Sequence, residues 1–243
     1  MSDRALTLSA HGLASHSEGD AGDANEFTDA SDARSRRQAW RFWAGIIACM
    51  MLVGGGIGVW DAVKYRFIPK RFGVVVPGEI FRSGQISHHQ FAPTIQKHGI
   101  DVVIDLNGIE PTDVDQAAEI AAYEEFDIEN YRFKLEGNGT GIVENYVNAI
   151  AKLATCHREG KSVLVHCHAG TQRTGSVIAA YRVLVLGESP QVAFAELAQY
   201  GWDADTDQVL LLYLNGHMRH VAEELVRRGI IANVPDPIPV VGP

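Results

Sequence analysis

The segment Ser162–Ser176, SVLVHCHAGTQRTGS, constrains the fold of this chain more than any other. It begins as a short apolar run, Ser162–His166, that suits a buried strand, and helical patterning resumes from about Thr174 to Leu186. The strand must hand over to the helix within Cys167–Arg173. A loop that tight can curl so that successive backbone N–H groups point inward, making an anion nest at a helix N-terminus. A thiol placed there is acidified, because helix N-termini and cationic neighbours lower a cysteine pKa from about 8.5 to about 3.5–7.5. The field that makes the thiolate also favours a dianionic phosphate beside it, and Arg173 offers two phosphate oxygens a planar fork that lysine lacks. Gly170 permits the turn without a Cβ clash, and Gly175 permits close packing where the helix begins. His166, Cys167, His168, Ala169, Gly170, Thr171, Gln172 and Arg173 thus form a candidate phosphate-binding loop.

Length and composition set the frame for that loop. The chain has 243 residues, 46% of them hydrophobic and 21% charged, enough for one sizeable domain with an appendage. A net charge of −9 argues against a general nucleic-acid binder, which needs a basic face. Three cysteines, Cys49, Cys156 and Cys167, are too few and too dispersed for a disulfide framework or a four-ligand zinc site. Residues 1–41 carry five basic and seven acidic residues with few large apolar ones, and read as a disordered acidic tail.

Residues 42–60, FWAGIIACMMLVGGGIGVW, contain no charge. At about 1.5 Å per residue a helix of that length spans roughly the 30 Å hydrocarbon slab. Trp40, Trp43 and Trp60 stand at its ends, and Arg36, Arg37 and Arg41 face Lys64, Arg66, Lys70 and Arg71 across it. The expectation is a single transmembrane helix, favoured over a buried core helix by the cationic borders. A cleaved signal peptide fits poorly, given the long polar leader and the missing small-residue cleavage site. Basic residues balance on the two sides, so charge does not orient the span. Gly54 and Gly58 form a G-x-x-x-G through which two copies could dimerise.

Residues 61–72 make a basic juxtamembrane linker, and 73–230 carry the globular pattern. Two short strands flank Pro77-Gly78, a helix is expected over Ser87–His98, and Ile100–Leu106 reads as a buried strand. A helix from near Pro111 to Glu125, a strand at Ile128–Leu135 and a helix at Ile142–His157 follow. Ser189-Pro190 supplies a cap and first-turn proline for a helix ending near Gly201, and Asp207–Arg228 is the last and longest. Strands alternating with helices imply an α/β fold, a mostly parallel central sheet of about four or five strands flanked by helices. Residues 231–243, with four prolines, suggest an extended tail.

His166-Cys167, five residues, then Arg173-Thr174 resembles the H-C-x5-R-[ST] signature of the cysteine-dependent protein tyrosine and dual-specificity phosphatases. IFRSGQIS, VVIDLNG and VHCHAGTQRTG look like the compact bacterial members, over about residues 73–222. The resemblance implies that Cys167 attacks phosphorus to give a phosphocysteine, that Arg173 binds the phosphoryl oxygens, and that Thr174 helps the sulfur leave. It implies that His166 orients the loop and tunes the thiol. Such chemistry is positioning and charge stabilisation, so no metal or other cofactor is required. The family's general acid is an Asp about thirty residues before the cysteine. Here Glu136 stands 31 residues before Cys167, a departure that leaves Glu136 as the candidate acid beside a plain loop carboxylate.

Other patterns carry less. Gly137–Gly141 lacks the final glycine of a dinucleotide loop and reads as a loop beside the site. Asp203, Asp205 and Asp207 lack the glycine and glutamate of a calcium loop and read as a solvated turn that starts a helix. His217 and His220 share a helix face without a third ligand; Cys156 is a small buried residue or a disulfide partner for Cys167. Without the aromatic recognition loop of large tyrosine-specific enzymes, the pocket is expected to be shallow and of dual-specificity type. Phosphoinositide and inositol phosphate phosphatases usually place lysines in the loop, and His168 is the one cation there besides Arg173. Phosphorylated protein is therefore the expected substrate, a membrane phospholipid or inositol phosphate the alternative, and a phosphate-binding module without turnover the rival outside catalysis. A reactive thiolate survives best in reducing cytosol, which favours a cytoplasmic catalytic domain.

Overall fold

The computed structural model describes residue 36 and residues 40–54, 56, 59–60 and 63–242. The acidic tail lies almost entirely outside the described residues, as do positions 55, 57 and 58 of the apolar segment, Gly58 among them. The chain divides into two compact units between Val59 and Trp60. In the first, residues 40–54 are helical, with Phe42, Trp43, Met50 and Leu52 exposed. Among the described residues no helix is long and apolar enough to cross a membrane, so the continuous span expected over 42–60 is not seen.

In the second unit a five-stranded sheet has the order β1-β2-β5-β3-β4, from Gly73–Val76 (β1), Ile80–Ser83 (β2), Val102–Asp105 (β3), Glu129–Arg132 (β4) and Val163–His166 (β5). Only the β1–β2 pair is antiparallel; β2–β5, β5–β3 and β3–β4 are parallel. The connecting helices are α1 (Phe91–His98), α2 (Val114–Glu125), α3 (Val143–Arg158), α4 (Gln172–Leu184), α5 (Pro190–Gln199) and α6 (Gln208–Arg227).

Strand pleat sorts the core into two layers. Ile80, Val102, Ile104, Val163 and Val165 face one cluster with α3, α4 and α6. Phe81, Val103 and Leu164, the intervening residues, face a second cluster with Phe91, Ile95, Ala122 and Tyr123 from α1 and α2. On α3, Tyr146, Val147, Ile150, Leu153 and Ala154 are buried at three- and four-residue spacing. α4 is buried on every side from Thr174 to Leu184, which fits a central helix without an amphipathic stripe.

The boundaries shift for local reasons. α1 starts at Phe91 rather than Ser87, because the Ser87 carbonyl instead closes a turn with the amides of Gln90 and Phe91. Gly99, at φ 59°, ends it in the left-handed conformation. Ser189 caps α5 as its side chain accepts from the Val192 amide. The proline-rich C-terminus is irregular but docked: Asn215 pairs with both the amide and the carbonyl of Val241, which is buried.

The parallel register aligns Ser83, Asp105 and His166 at the carboxyl ends of β2, β3 and β5. That edge is where an open α/β sheet places ligands. α5 lies close against α4 because position 175 is glycine. A Cβ there would stand 2.6 Å from Leu197 Cδ2, and Leu197 is buried with little room to turn. Gly175→Ala should cost about 1–3 kcal/mol through overpacking, read as a lower denaturant midpoint.

Candidate active site

Cys167 follows β5 directly, and α4 begins at Gln172, two residues earlier than the sequence pattern implies. Arg173 and Thr174 therefore sit in the first helical turn, where free amides and the helix dipole concentrate positive potential. Thr171 caps α4 with an unusual backbone (φ −106°, ψ −87°), and Gly170 turns the chain at φ 77°. A Cβ on Gly170 would come within 2.5 Å of the Gly84 amide nitrogen, so glycine is required here on two counts.

The loop holds its shape because three consecutive carbonyls are pulled outward. His168 O accepts from the Gln85 amide at 3.1 Å, Ala169 O from Arg71 Nη1 at 2.9 Å, and Gly170 O from Arg82 Nη2 at 2.8 Å. Arg82 is 1% exposed; it pairs with Glu196 Oε1 at 2.6 Å, and its guanidinium lies 3.8 Å from the centre of the Tyr200 ring. Glu196 is shared with Arg182, which also pairs with Glu188. Thr171 and Gln172 tie the far end of the loop to the chain beyond α5: Thr171 Oγ1 donates to Tyr200 O at 3.2 Å, and Gln172 Nε2 to Asp207 Oδ2 at 3.0 Å.

The Cys167 sulfur accepts from the Gly170 amide at 3.1 Å. Burial pushes this thiol up, but the Thr174 hydroxyl, the Arg173 charge and the Thr174 and Gly170 amides outweigh burial and hold it below its ordinary value. Thr174, fully buried, also lies 3.4 Å from Ser83 O, so its one hydroxyl proton has two acceptors within reach. Arg173 Nη1 is 3.5 Å from Leu106 O. Beside the loop opens a polar cleft of roughly 410 Å³, lined by Arg173, His168, Gln85, Asn107, Glu110 and Lys134. His168 is exposed, with Nδ1 3.1 Å from Gln85 Oε1; Gln85 Nε2 in turn donates to Asp113.

His166 points away from the cleft into the protein, with Nε2 2.8 Å from Glu119 Oε1 and 3.8 Å from Asp105 Oδ1. Among the described residues these three bring ligand atoms within 4.8 Å of one another. Arg132 Nη2 stands 2.8 Å from Asp105 Oδ2, off-line for a hydrogen bond, and Tyr123 donates to Glu119. The carboxylates are thus answered by Arg132 and by His166 itself, an internal ion network rather than an open ligand set.

The structure brings Cys167, Arg173 and Thr174 together as the motif implies. Glu136 is exposed, its carboxylate 3.9 Å from Lys134 Nζ. Its loop abuts the phosphate loop: a Cβ on Gly139 would be 3.3 Å from Gln172 Cβ, and Gly139 O accepts from Tyr146. Asp207 serves the loop through Gln172, a role its acidic turn did not reveal. Arg71, Arg82 and Gln85 were missed as well. Lys70 is half-buried and near enough to Cys167 for the two charges to interact, which adds a cation the loop sequence does not contain.

Residues 83–200, from the end of β2 to just past α5, match the family model described as dual specificity phosphatase, catalytic domain. That stretch of the chain is similar to a catalytic domain of that type, and the sulfur, guanidinium and hydroxyl just described fall inside it. Its fold is that of TpbA from P. aeruginosa, 19% identical, with 65% of this chain and 91% of that one covered and a TM-score of 0.52. The core catalytic domain of the PP-IP phosphatase SIW14 from S. cerevisiae, in complex with citrate, is likewise 19% identical, with 66% and 94% covered and a TM-score of 0.52. A mutant form of Tk-PTP is 21% identical, with 63% and 95% covered and a TM-score of 0.50. No curated protein matches the sequence.

Arg82→Met frees the Gly170 carbonyl to turn inward and leaves Glu196 with Arg182 alone. Breaking a buried pair costs about 3–5 kcal/mol, and the thiol loses amide support, so its pKa rises. The acidic limb of the kcat/KM–pH profile, set by thiolate, should move to higher pH, with activity at pH 6 down about tenfold or more.

Proposed function

We propose that this domain hydrolyses phosphotyrosine, phosphoserine and phosphothreonine monoesters through a phosphocysteine on Cys167. The observation that carries the reading is the Cys167 sulfur, seated at the N-terminus of α4 with the Gly170 amide at 3.1 Å and held below its ordinary pKa. The thiolate attacks phosphorus as Arg173 and the loop amides bind the non-bridging oxygens, and the bond from phosphorus to the leaving oxygen breaks. Glu136 gives that oxygen its proton. Water then attacks the phosphocysteine and passes a proton to Glu136, the S–P bond breaks towards sulfur with the Thr174 hydroxyl donating to it, and phosphate departs. Charge complementarity to the phosphoryl group supplies the main stabilisation.

Two relatives frame the substrate class. TpbA has been solved with phosphotyrosine bound, and SIW14 is a PP-IP phosphatase. The polar cleft beside Arg173 suits a peptide-borne phosphoester. Lys70 near Cys167 favours the second reading, a phosphoinositide or inositol phosphate, by supplying a further cation. We also propose that the apolar segment 42–60 tethers the domain to a bilayer as a single-pass anchor, with the catalytic domain cytoplasmic and Gly54 and Gly58 available for pairing. The support is nineteen uncharged residues between basic borders. Carbonate extraction of membranes retains the chain if this is right and releases it if not; protease protection of sealed vesicles reads its side.

Release of p-nitrophenol from its phosphate should vanish in Cys167→Ser while phosphate binding persists, because the amides and Arg173 remain. Arg173→Ala should lose both. A phosphate-binding module would show binding and no turnover in the parent. Glu136→Gln should slow a poor leaving group by about 10²–10³-fold and p-nitrophenyl phosphate far less; equal loss on both, or none, removes Glu136 as the acid. Side-by-side rates on phosphotyrosine peptides, phosphoserine peptides and phosphoinositides rank the classes, with the peptides expected ahead.

A further inference from the structure

Behind the phosphate loop lies the buried ion network that the proposed reaction leaves idle. Four elements meet in it: β3 with Asp105, α2 with Glu119 and Tyr123, β4 with Arg132, and β5 with His166. Glu119 is 0% exposed. One of its oxygens is 2.8 Å from His166 Nε2 and accepts from Tyr123 as well; the other, Oε2, has no hydrogen-bond partner, nor has His166 Nδ1. Taking a carboxylate out of water costs several kcal/mol, and an apolar side chain in its place is often neutral or stabilising. Packing alone therefore gives no reason for an acid at this position of α2.

The charges pair off in a particular way. Asp105 is occupied: Arg132 stands at Oδ2, and the Asn107 amide donates to Oδ1 at 2.8 Å. It lies 3.8 Å from the imidazole, beyond hydrogen-bond reach. Glu119 alone is close enough to hold a proton on His166 Nε2. Burial on its own favours the neutral ring. The next residue along the chain is Cys167, and the imidazole is near enough for its charge and the sulfur's to act on each other.

We propose that Glu119 is a positioning residue that keeps His166 an imidazolium beneath Cys167, so that the thiolate is stabilised from the protein side as well as from the loop. Burial disfavours the charged ring, but Glu119 and Asp105 overcome it and hold His166 up to about 9. Near neutral pH the pairs Arg132–Asp105 and His166–Glu119 are then internally balanced, and Arg173 answers the thiolate. Loss of the Glu119 charge discharges the ring and leaves the sulfur with the loop alone.

The test is Glu119→Gln in the full chain, which keeps an oxygen acceptor of the same reach and removes the charge. Iodoacetamide alkylation is followed against pH on the peptide bearing Cys167, so that Cys49 and Cys156 do not contribute. The midpoint should rise by about one unit, equivalent to about 1.4 kcal/mol, and the acidic limb of kcat/KM should rise with it while the high-pH plateau stays within about threefold. In a His166→Asn background, Glu119→Gln should add no further shift. An unchanged midpoint in folded Glu119→Gln, or equal shifts with and without His166, overturns the proposal. Should Glu119→Gln not fold, histidine NMR of the parent decides: a protonated His166 ring at pH 7 supports it, and a neutral ring sinks it. The inference deepens the reading of Cys167 as nucleophile, but alkylation and NMR report on the sulfur and the ring without turnover. A chain that fails to hydrolyse phosphoesters would leave this result standing.

Discussion

The site depends on three backbone carbonyls that point the wrong way for an anion and are held there. The carbonyl oxygens of His168, Ala169 and Gly170 point outward, accepting from the Gln85 amide, Arg71 and Arg82 respectively. Because a peptide unit is planar and trans, turning each oxygen out turns the following amide hydrogen inward. Amide hydrogens so directed bind anions whatever the side chains are, which is why residues as plain as Ala169 and Gly170 can sit at the centre. The holding groups are costly ones. Arg82 is buried, and its charge is balanced by Glu196 from α5 and by the face of Tyr200.

The sulfur lies between two opposed tendencies. Apolar surroundings favour the neutral thiol, while hydrogen bonds from Thr174 and Gly170 and the charge of Arg173 favour the anion. The second set prevails because its members are preorganised by the first turn of α4 and need no rearrangement when charge appears. A sulfur stabilised as an anion is a good nucleophile at neutral pH and a good leaving group afterwards, the two demands a phosphocysteine route makes. Behind it the network of His166, Glu119, Asp105, Arg132 and Tyr123 links β3, β4, β5 and α2, so the strand that delivers the cysteine is fixed electrostatically as well as by its ladder.

Much of the architecture could be read in one dimension. β5 is recognisable as a short apolar run and α3 by its spacing, since both follow from burying apolar faces at periods of 2 and about 3.6. α1 starts four residues later than the expected Ser87, whose carbonyl closes a turn instead. The docked C-terminus was not legible, because the pairing of Asn215 with Val241 joins residues 26 positions apart. Glu136 could be located by counting back from the cysteine, but its exposure and its neighbour Lys134 are properties of a folded loop.

The amino-acid order alone determined that a strand, a glycine-bearing loop and a helix would present Cys167, Arg173 and Thr174 to one anion. All three lie within eight consecutive residues, and local backbone geometry fixes groups that close. It could not show that Arg82, Arg71, Gln85 and Asp207 brace the same loop, or that Glu119 holds the histidine that precedes the sulfur. These lie between 35 and 98 positions away from the loop residues they support, numbers with no local period to betray them. Only the parallel register of β2, β5 and β3, with α2 packed against that sheet and α5 against α4, brings them to the loop.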